Sequence, residues 1–316
     1  MEDYEDEEIN LTEEVMPEPQ PIKVRSKSKS KSNTTNIKSF HYLENDSIDF
    51  SILETKYTTK KLEPKVYNLG VKVLNGDYVP DLSVCLDKEQ FNDDLGFYYE
   101  DKIKNIYEKF FTKEIRIKVK KLGYNHKLGI ILYGKQGTGK TSMFKKYFNE
   151  AVKNKNAIVF NITATNNVMV WWSLIVSIRK IQKNPIIIFL DEYDEFFNQS
   201  RNSYETEFKR ILDGTDSIDN SLFFMTTNYI NKIPKTIKER PSRVKYSIEV
   251  KGLEDENLIT RFLNQSLEKV DMKYDFSSEI SKMKGWTIDE LKQWVLDKVM
   301  DIEPNNETPS RVGFKN

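Results

Sequence analysis

Cysteine is almost absent from this sequence of 316 residues; Cys85 stands alone. One thiol excludes an internal disulfide and any metal site built on several cysteines, and it suits a reducing compartment. Histidine is nearly as scarce. His41 and His126 lie far apart in the chain, which argues against a histidine zinc centre. Long hydrophobic runs are missing as well: the longest reach about six residues, against the roughly 20 that a helix needs to cross a bilayer. The opening MEDYEDEE is the opposite of a cationic secretory or transit leader. There is no excess of either charge, 49 basic against 49 acidic side chains, which argues against a globally basic nucleic-acid coat. These absences lead us to expect a soluble protein of the cytoplasm or another reducing intracellular compartment. Arginine supplies only nine of the basic residues, and Asn and Ile are plentiful. That hints at an AT-rich coding genome, such as that of a virus or phage acting in its host, and equally of certain bacteria or protists.

Against these absences, 18 Phe, 16 Tyr and 4 Trp can fill a core. At about 100–200 residues per domain, the length allows one large domain or two smaller ones. Residues 1–20 carry nine acidic and no basic side chains, and residues 21–40 carry six basic and no acidic ones. Neither stretch has a hydrophobic period, so 1–38 reads as a disordered arm. Its Lys/Ser run at 23–31 reads as a solvated tail, or as a contact to nucleic acid or an acidic partner. Residues 39–89 hold short alternating apolar pieces around Asn75-Gly76-Asp77. They read as strands with a hairpin turn, forming either a small β-rich segment or an extension clasping the main domain.

The chemistry begins at residue 128. LGIILY is a short strand-like run, followed by Gly134-Lys135-Gln136-Gly137-Thr138-Gly139-Lys140-Thr141 and then by SMFKKYFNEAVK with helical spacing. This is G-x-x-x-x-G-K-T between a strand and a helix, the context of a phosphate-binding loop. Glycines let several N–H groups turn toward phosphate oxygens, and the helix N-terminus adds partial positive charge. Lys140 can reach the β- and γ-phosphates, and the Thr141 hydroxyl can ligate Mg²⁺. Residues 186–192, IIIFLDE, read as a parallel strand buried on both faces, with carboxylates emerging at its C-terminal end. Asp191 is then the partner of the Mg²⁺ shell, and Glu192 the base that activates water. Asp194 and Glu195 read as an exposed acidic start to the next helix. A third strand, LFFMTTN at 222–228, delivers Asn228 to the same edge, where it can hydrogen-bond water or the γ-phosphate.

Taken in order, GKQGTGKT, IIIFLDE, MTTN and Glu239-Arg240-Pro241-Ser242-Arg243 resemble the AAA+ superfamily of P-loop ATPases, and within it the classical AAA clade. The last piece looks like that family's R-P-G-R segment, with Ser242 in place of the usual Gly. The resemblance implies that Arg240 and Arg243 are arginine fingers reaching a neighbour's nucleotide. Asn92-Asp93-Asp94-Leu95-Gly96 resembles the family's D-I-G-G segment near the adenine, with Phe97 replacing the second Gly. Gly285-Trp286-Thr287 before IDELKQWV resembles the start of the lid helix, without a sensor arginine. The resemblance thus implies nucleotide contacts from Asp94, Gly96, Gln136, Gly137, Thr138, Gly139, Lys140, Thr141, Ser142 and Gly285, with Thr141 and Asp191 on the metal.

The resemblance covers about residues 90–300. It implies an α/β fold, a five-stranded parallel sheet sandwiched by helices over 90–250. A helical lid at 251–303 and a tail at 304–316 would follow. It implies ATP and Mg²⁺ as ligands and a homo-oligomeric ring, most often a hexamer. The leading expectation is an ATPase that hydrolyses ATP at subunit interfaces and remodels or threads a protein. The pore-facing segment would then be TATNNVMVWWSL; Trp171 and Trp172 either grip a substrate there or begin the next helix and pack inside. Two alternatives stand beside this one. The first is a nucleic-acid-associated loader or packaging accessory using the 23–31 arm. The second is an assembly scaffold that holds ATP without turning it over, although Glu192, the base such proteins often lose, is present.

Overall fold

The computed structural model describes residues 61–74, 76–85, 100–163, 167–197 and 204–300, together with three short strands near the N-terminus. Those three are β1 (Lys38–Ser39), β2 (Ser51–Leu53) and β3 (Lys56–Tyr57), which pair as a small antiparallel sheet. The Lys/Ser run at 23–31, the segment holding Asp94 and Gly96, and the tail at 304–316 lie outside the described residues.

The main sheet has seven strands. In chain order they are β4 (Val66–Leu74), β5 (Asp77–Val84), β6 (Lys127–Tyr133), β7 (Ile158–Ile162), β8 (Ile186–Leu190), β9 (Ser221–Thr227) and β10 (Tyr246–Glu249). In space the order is β10-β6-β9-β8-β7-β4-β5, all parallel except the edge strand β5. The five-stranded parallel sheet expected from the sequence is therefore present, and it is wider by two strands. Of the β-rich segment before residue 90, the β4–β5 hairpin is an extension of this sheet: Val66 pairs with Val159 and Leu69 with Ile162. β4 covers what would otherwise be the open edge of β7. The hairpin turns where Asn75-Gly76 predicted, with Leu74 opposite Asp77 and Gly76 at φ 86°. Pro80 has no N–H to give, and the outermost strand is where a sheet tolerates it.

Strand alternation sends side chains into two separate layers. Ile130, Leu132, Val159, Ile187, Phe189, Leu222 and Phe224 face one layer. Ile131, Ile158, Phe160, Ile186, Ile188, Phe223 and Met225 face the other. Burial on both faces explains why these strands read as unbroken apolar runs. The first layer is closed by α1 (Glu100–Phe111) and α3 (Lys140–Lys155), with Phe144 stacked on Phe224 at 4.1 Å between ring centres. The other is closed by α4 (Val168–Ile181) and α5 (Glu205–Asp213). In the chain, α1 is joined to β6 through α2 (Lys113–Lys121), which buries none of its residues.

α4 settles the alternative left open for the tryptophans. Trp171 and Trp172 are both buried at its start, 0% and 1% exposed. Trp172 donates its indole N–H to the Asp216 carbonyl at 3.2 Å, and Trp171 packs against Phe208. They are core residues, because Trp172 lies on Phe223 of β9 and Trp171 on Phe208 of α5.

After β10 come α7 (Glu256–Glu268), a 3₁₀ turn at Ile280–Met283 and α8 (Ile288–Val299); a one-turn helix α6 (Lys235–Lys238) precedes β10. Asp255 caps α7 by accepting the Asn257 N–H, and Thr287 with Glu290 forms a reciprocal capping box at α8. Phe262, Leu263, Phe276, Met283, Leu291 and Trp294 fill the core between the two helices, continuous with the first layer. No helix among the described residues is long and apolar enough to cross a membrane.

Candidate active site

The parallel strands β6, β8 and β9 end side by side, and their C-terminal ends carry most of the chemistry. Between β6 and α3 the chain turns through Gly137 and Gly139 at φ 78° and 83°, left-handed values that only glycine adopts freely. Lys140 opens α3 and is 6% exposed. Its ammonium donates to the carbonyls of Gly134 and Lys135 at 3.0 and 2.6 Å and to Thr138 Oγ1 at 3.3 Å. The loop thus folds around its own lysine. Burial lowers the Lys140 pKa, while Asp191 and Asp289 pull it back up.

Asp191, just past the end of β8, is held from helix α3 and from strand β9. Thr141 donates to its Oδ1 at 2.9 Å, and Thr226 of β9 donates to the same oxygen. Thr226 Oγ1 also accepts the Glu192 N–H at 3.2 Å. That bond helps hold Glu192 at φ 48°, an uncommon backbone for a residue with a Cβ, of the kind that clusters at functional sites. Partial burial, then Glu195, Asp191 and Asp194, raise the Glu192 carboxyl above its ordinary value. A raised, exposed carboxylate beside a phosphate loop is suited to accepting a proton from water.

Asp194 departs from expectation. It is 4% exposed, inside a 3₁₀ turn at Tyr193–Phe197, whereas an exposed helix start was expected. Its Oδ1 accepts from Thr227 Oγ1 at 2.5 Å, and Thr227 Oγ1 in turn accepts the Tyr229 N–H at 2.9 Å. These two bonds bracket Asn228 and fix the turn that carries it into the cleft.

The cleft itself has a volume of ≈ 250 Å³. Gln136, Gly137, Gly139, Lys140, Thr141, Ser142, Asp191, Glu192 and Asn228 line it, as the sequence grouped them, joined by Thr226, Thr227 and Asp289. Beside it lies a second cavity of ≈ 350 Å³, largely apolar, between Thr138 and Met143 on one side and Val250, Leu253, Leu258 and Ile288 on the other. Gly285 lines neither cavity. At φ 79° it donates to the Leu253 carbonyl at 2.8 Å, next to a bridge between Leu253 and Trp286. The α8 residues that reach the cavities are Ile288 and Asp289, about one turn beyond it.

The donor set fits a hard divalent cation only in part. Thr141 and Asp191 supply two adjacent oxygens, yet no group of three or more His, Cys, Asp or Glu among the described residues could hold a metal. That suits Mg²⁺, which keeps waters and completes its shell with substrate phosphates.

Residues 130–251, from β6 to just beyond β10, match the family model described as the ATPase family associated with various cellular activities (AAA). These residues form an AAA domain, a P-loop ATPase. A comparison with curated proteins finds no match.

The AAA domain places its two candidate fingers at the other end of the sheet, before β10, in unequal surroundings. Arg240 has a side chain 60% exposed; its Nε lies 3.0 Å from Asp213 Oδ2 and 3.2 Å from Ser242 Oγ. Arg243 is 9% exposed. Its Nε donates to Asp213 Oδ1 at 2.9 Å and its NH1 to the Thr236 carbonyl at 2.6 Å. Ser242, the departure from the family's usual glycine, donates to Asp213 Oδ2 at 2.7 Å. Asp213 at the end of α5 therefore organises this whole segment. Nothing in the sequence assigned that role to Asp213, or marked Thr226 and Asp289.

Proposed function

We propose that this chain hydrolyses ATP at the subunit boundaries of a closed ring and uses the cycle to remodel or thread a protein. The observation that carries the reading is one cleft in which a glycine loop, Lys140, the Thr141–Asp191 pair, Glu192 and Asn228 converge. The loop N–H groups and Lys140 would bind the phosphates of ATP, and the apolar cavity beside Val250 and Ile288 would take its base. Mg²⁺, held by Thr141 and Asp191, would neutralise phosphate charge when bound. Glu192 would take the proton of the attacking water, and Asn228 would orient that water.

Arg240, the more exposed of the two, would leave Asp213 to reach a neighbour's phosphates, where a guanidinium stabilises developing charge. Arg243 is placed to hold the finger segment in shape. A finger supplied from outside requires a head-to-tail interface, which closes into a ring. Work on a protein rests on the family domain and the α7–α8 lid; the buried Trp171–Trp172 pair adds nothing to it.

The test is ATP turnover against protein concentration, with mass measured in parallel. Turnover should rise as a larger assembly forms, and Glu192→Gln should bind ATP without hydrolysing it. Undiminished hydrolysis by Glu192→Gln would remove the base assignment, and concentration-independent turnover by a monomer would remove the ring.

A further inference from the structure

The phosphate cleft contains a carboxylate that the reaction above does not use. Asp289 is the second helical residue of α8, whose N-terminus the Thr287–Glu290 capping box fixes. Its N–H donates to the Gly137 carbonyl at 3.1 Å, so the lid helix is bonded directly to the phosphate loop. Its side chain lies on that loop too: a Cβ added to Gly137 would fall 2.8 Å from Asp289 Oδ2. Glycine at 137 thus provides room for the lid as well as a left-handed turn. Among the described residues the Asp289 carboxylate has no ion pair and accepts no hydrogen bond. Its field nevertheless reaches the Lys140 ammonium across the cleft.

An acidic residue in the first turn of a helix is ordinary, because it faces the positive end of the helix dipole. The location of this one is not ordinary. The same loop and lysine would bind a polyphosphate of about two to four negative charges, which would meet Asp289 as a like charge at short range. The favourable partner of Asp289 in the cleft, Lys140, is the group the phosphates would claim.

We propose that Asp289 is an affinity-setting residue, a charge latch that seats the lid helix on the phosphate loop and is pushed off it when polyphosphate binds. This rests on the reading of the cleft as a phosphate site. Nucleotide occupancy is thereby coupled to lid position: phosphate and the Asp289 carboxylate compete for the same positive end of the cleft, and the loser moves. The coupling is a difference in affinity between two lid positions, as any ligand-driven shift requires.

Asp289→Asn in the full chain tests it. The substitution keeps side-chain shape and removes the charge. The expected result is ATP binding tighter by about tenfold, the size of one screened like-charge contact. The gain should be smaller for ADP and absent for adenosine, which carries no phosphate, and should shrink at high salt. Asp289→Glu, which restores the charge, should return toward wild-type affinity. A donor–acceptor dye pair on α8 and α3 should report a lid displacement on adding ATP that the Asn variant shows weakly. Unchanged or weaker ATP binding by a folded Asn variant would overturn the proposal and leave Asp289 a helix-end residue. If the wild-type chain bound no ATP at all, the site reading would fail first and the latch with it.

Discussion

Replacing Arg243 with Ala should cost stability, and the structure says how much. Asp213 and Arg243 have side chains 10% and 9% exposed, so the pair is buried. Breaking a buried pair from one side typically costs about 3–5 kcal/mol. Asp213 keeps Ser242 at 2.7 Å and Arg240 at 3.0 Å, which reduces the loss, while the Thr236 carbonyl loses its donor, which adds to it. The balance is a deficit of about 3 kcal/mol. Burial pushes the Asp213 carboxyl up, but hydrogen bonds from Arg243 and Ser242 and the charges of both arginines hold it below its ordinary 3.8. In the wild type this carboxylate therefore stabilises the fold fully above 3.8, and loses that contribution as pH falls through the lowered folded value. In Arg243→Ala burial dominates and the folded value rises. The deficit should then be largest near neutral pH and narrow toward about pH 4–5, where a proton neutralises the stranded charge. Urea unfolding at two pH values measures this. Arg240→Ala is the control: its pairing is exposed, worth about 0–1 kcal/mol, yet it should abolish turnover. The reasoning is refuted if Arg243→Ala is as stable as wild type at pH 7 but inactive, for Arg243 would then act on a neighbour.

Charge at two other positions gives two more outcomes. Glu195 helps keep the Glu192 carboxyl raised, so Glu195→Gln should move the acid limb of the turnover–pH profile downward; an unmoved limb would mean that Glu192 does not set it. Burial lowers the Lys127 pKa to about 8 from 10.5, with Asp213 opposing and Arg243 and Arg240 assisting. Lys127 is charged in both states at pH 7, so its burial is a standing cost, relieved as pH rises from about 8 to 10.5 and the folded protein sheds the proton first. Lys127→Met should therefore stabilise the protein by about 1–2 kcal/mol at pH 7, allowing for partial solvent contact and a lost bond to the Ser242 carbonyl. The gain should fade at about pH 9.5; an equal gain at both pH values would show that packing, not charge, is responsible.

The parallel sheet was legible because a strand buried on both faces must be apolar throughout, and IIIFL and LFFM have the length and composition of such strands. The β4–β5 hairpin was legible as a hairpin, through Asn75-Gly76. Its membership of the main sheet was not. Alternation in PKVYNLGVKVL tells that one side is buried, and says nothing about which strand lies alongside; only the pairing of Val66 with Val159 decides that. The tryptophans show the same limit. VMVWWSL suits a gripping loop or a buried helix equally, and what decides is Phe208 and Phe223 waiting opposite.

The site divides in the same way. Lys140, Thr141, Asp191, Glu192 and Asn228 could be read because each sits at a fixed offset within a short strand–loop unit, where local backbone geometry sets the chemistry. Thr226, Asp194 and Asp289 could not, because their importance comes from partners on other elements: a shared oxygen of Asp191, the hydroxyl of Thr227, the backbone of Gly137. The two arginines make the point most directly. In the sequence they are equivalent, two cations flanking Pro241-Ser242. In the fold they differ because α5 ends beneath them and presents Asp213 to both. Arg243 takes Asp213 Oδ1 and the Thr236 carbonyl and is buried, whereas Arg240 shares Oδ2 with Ser242 and keeps most of its side chain in solvent. The division of labour between Arg240 and Arg243 was therefore decided where the helix ends.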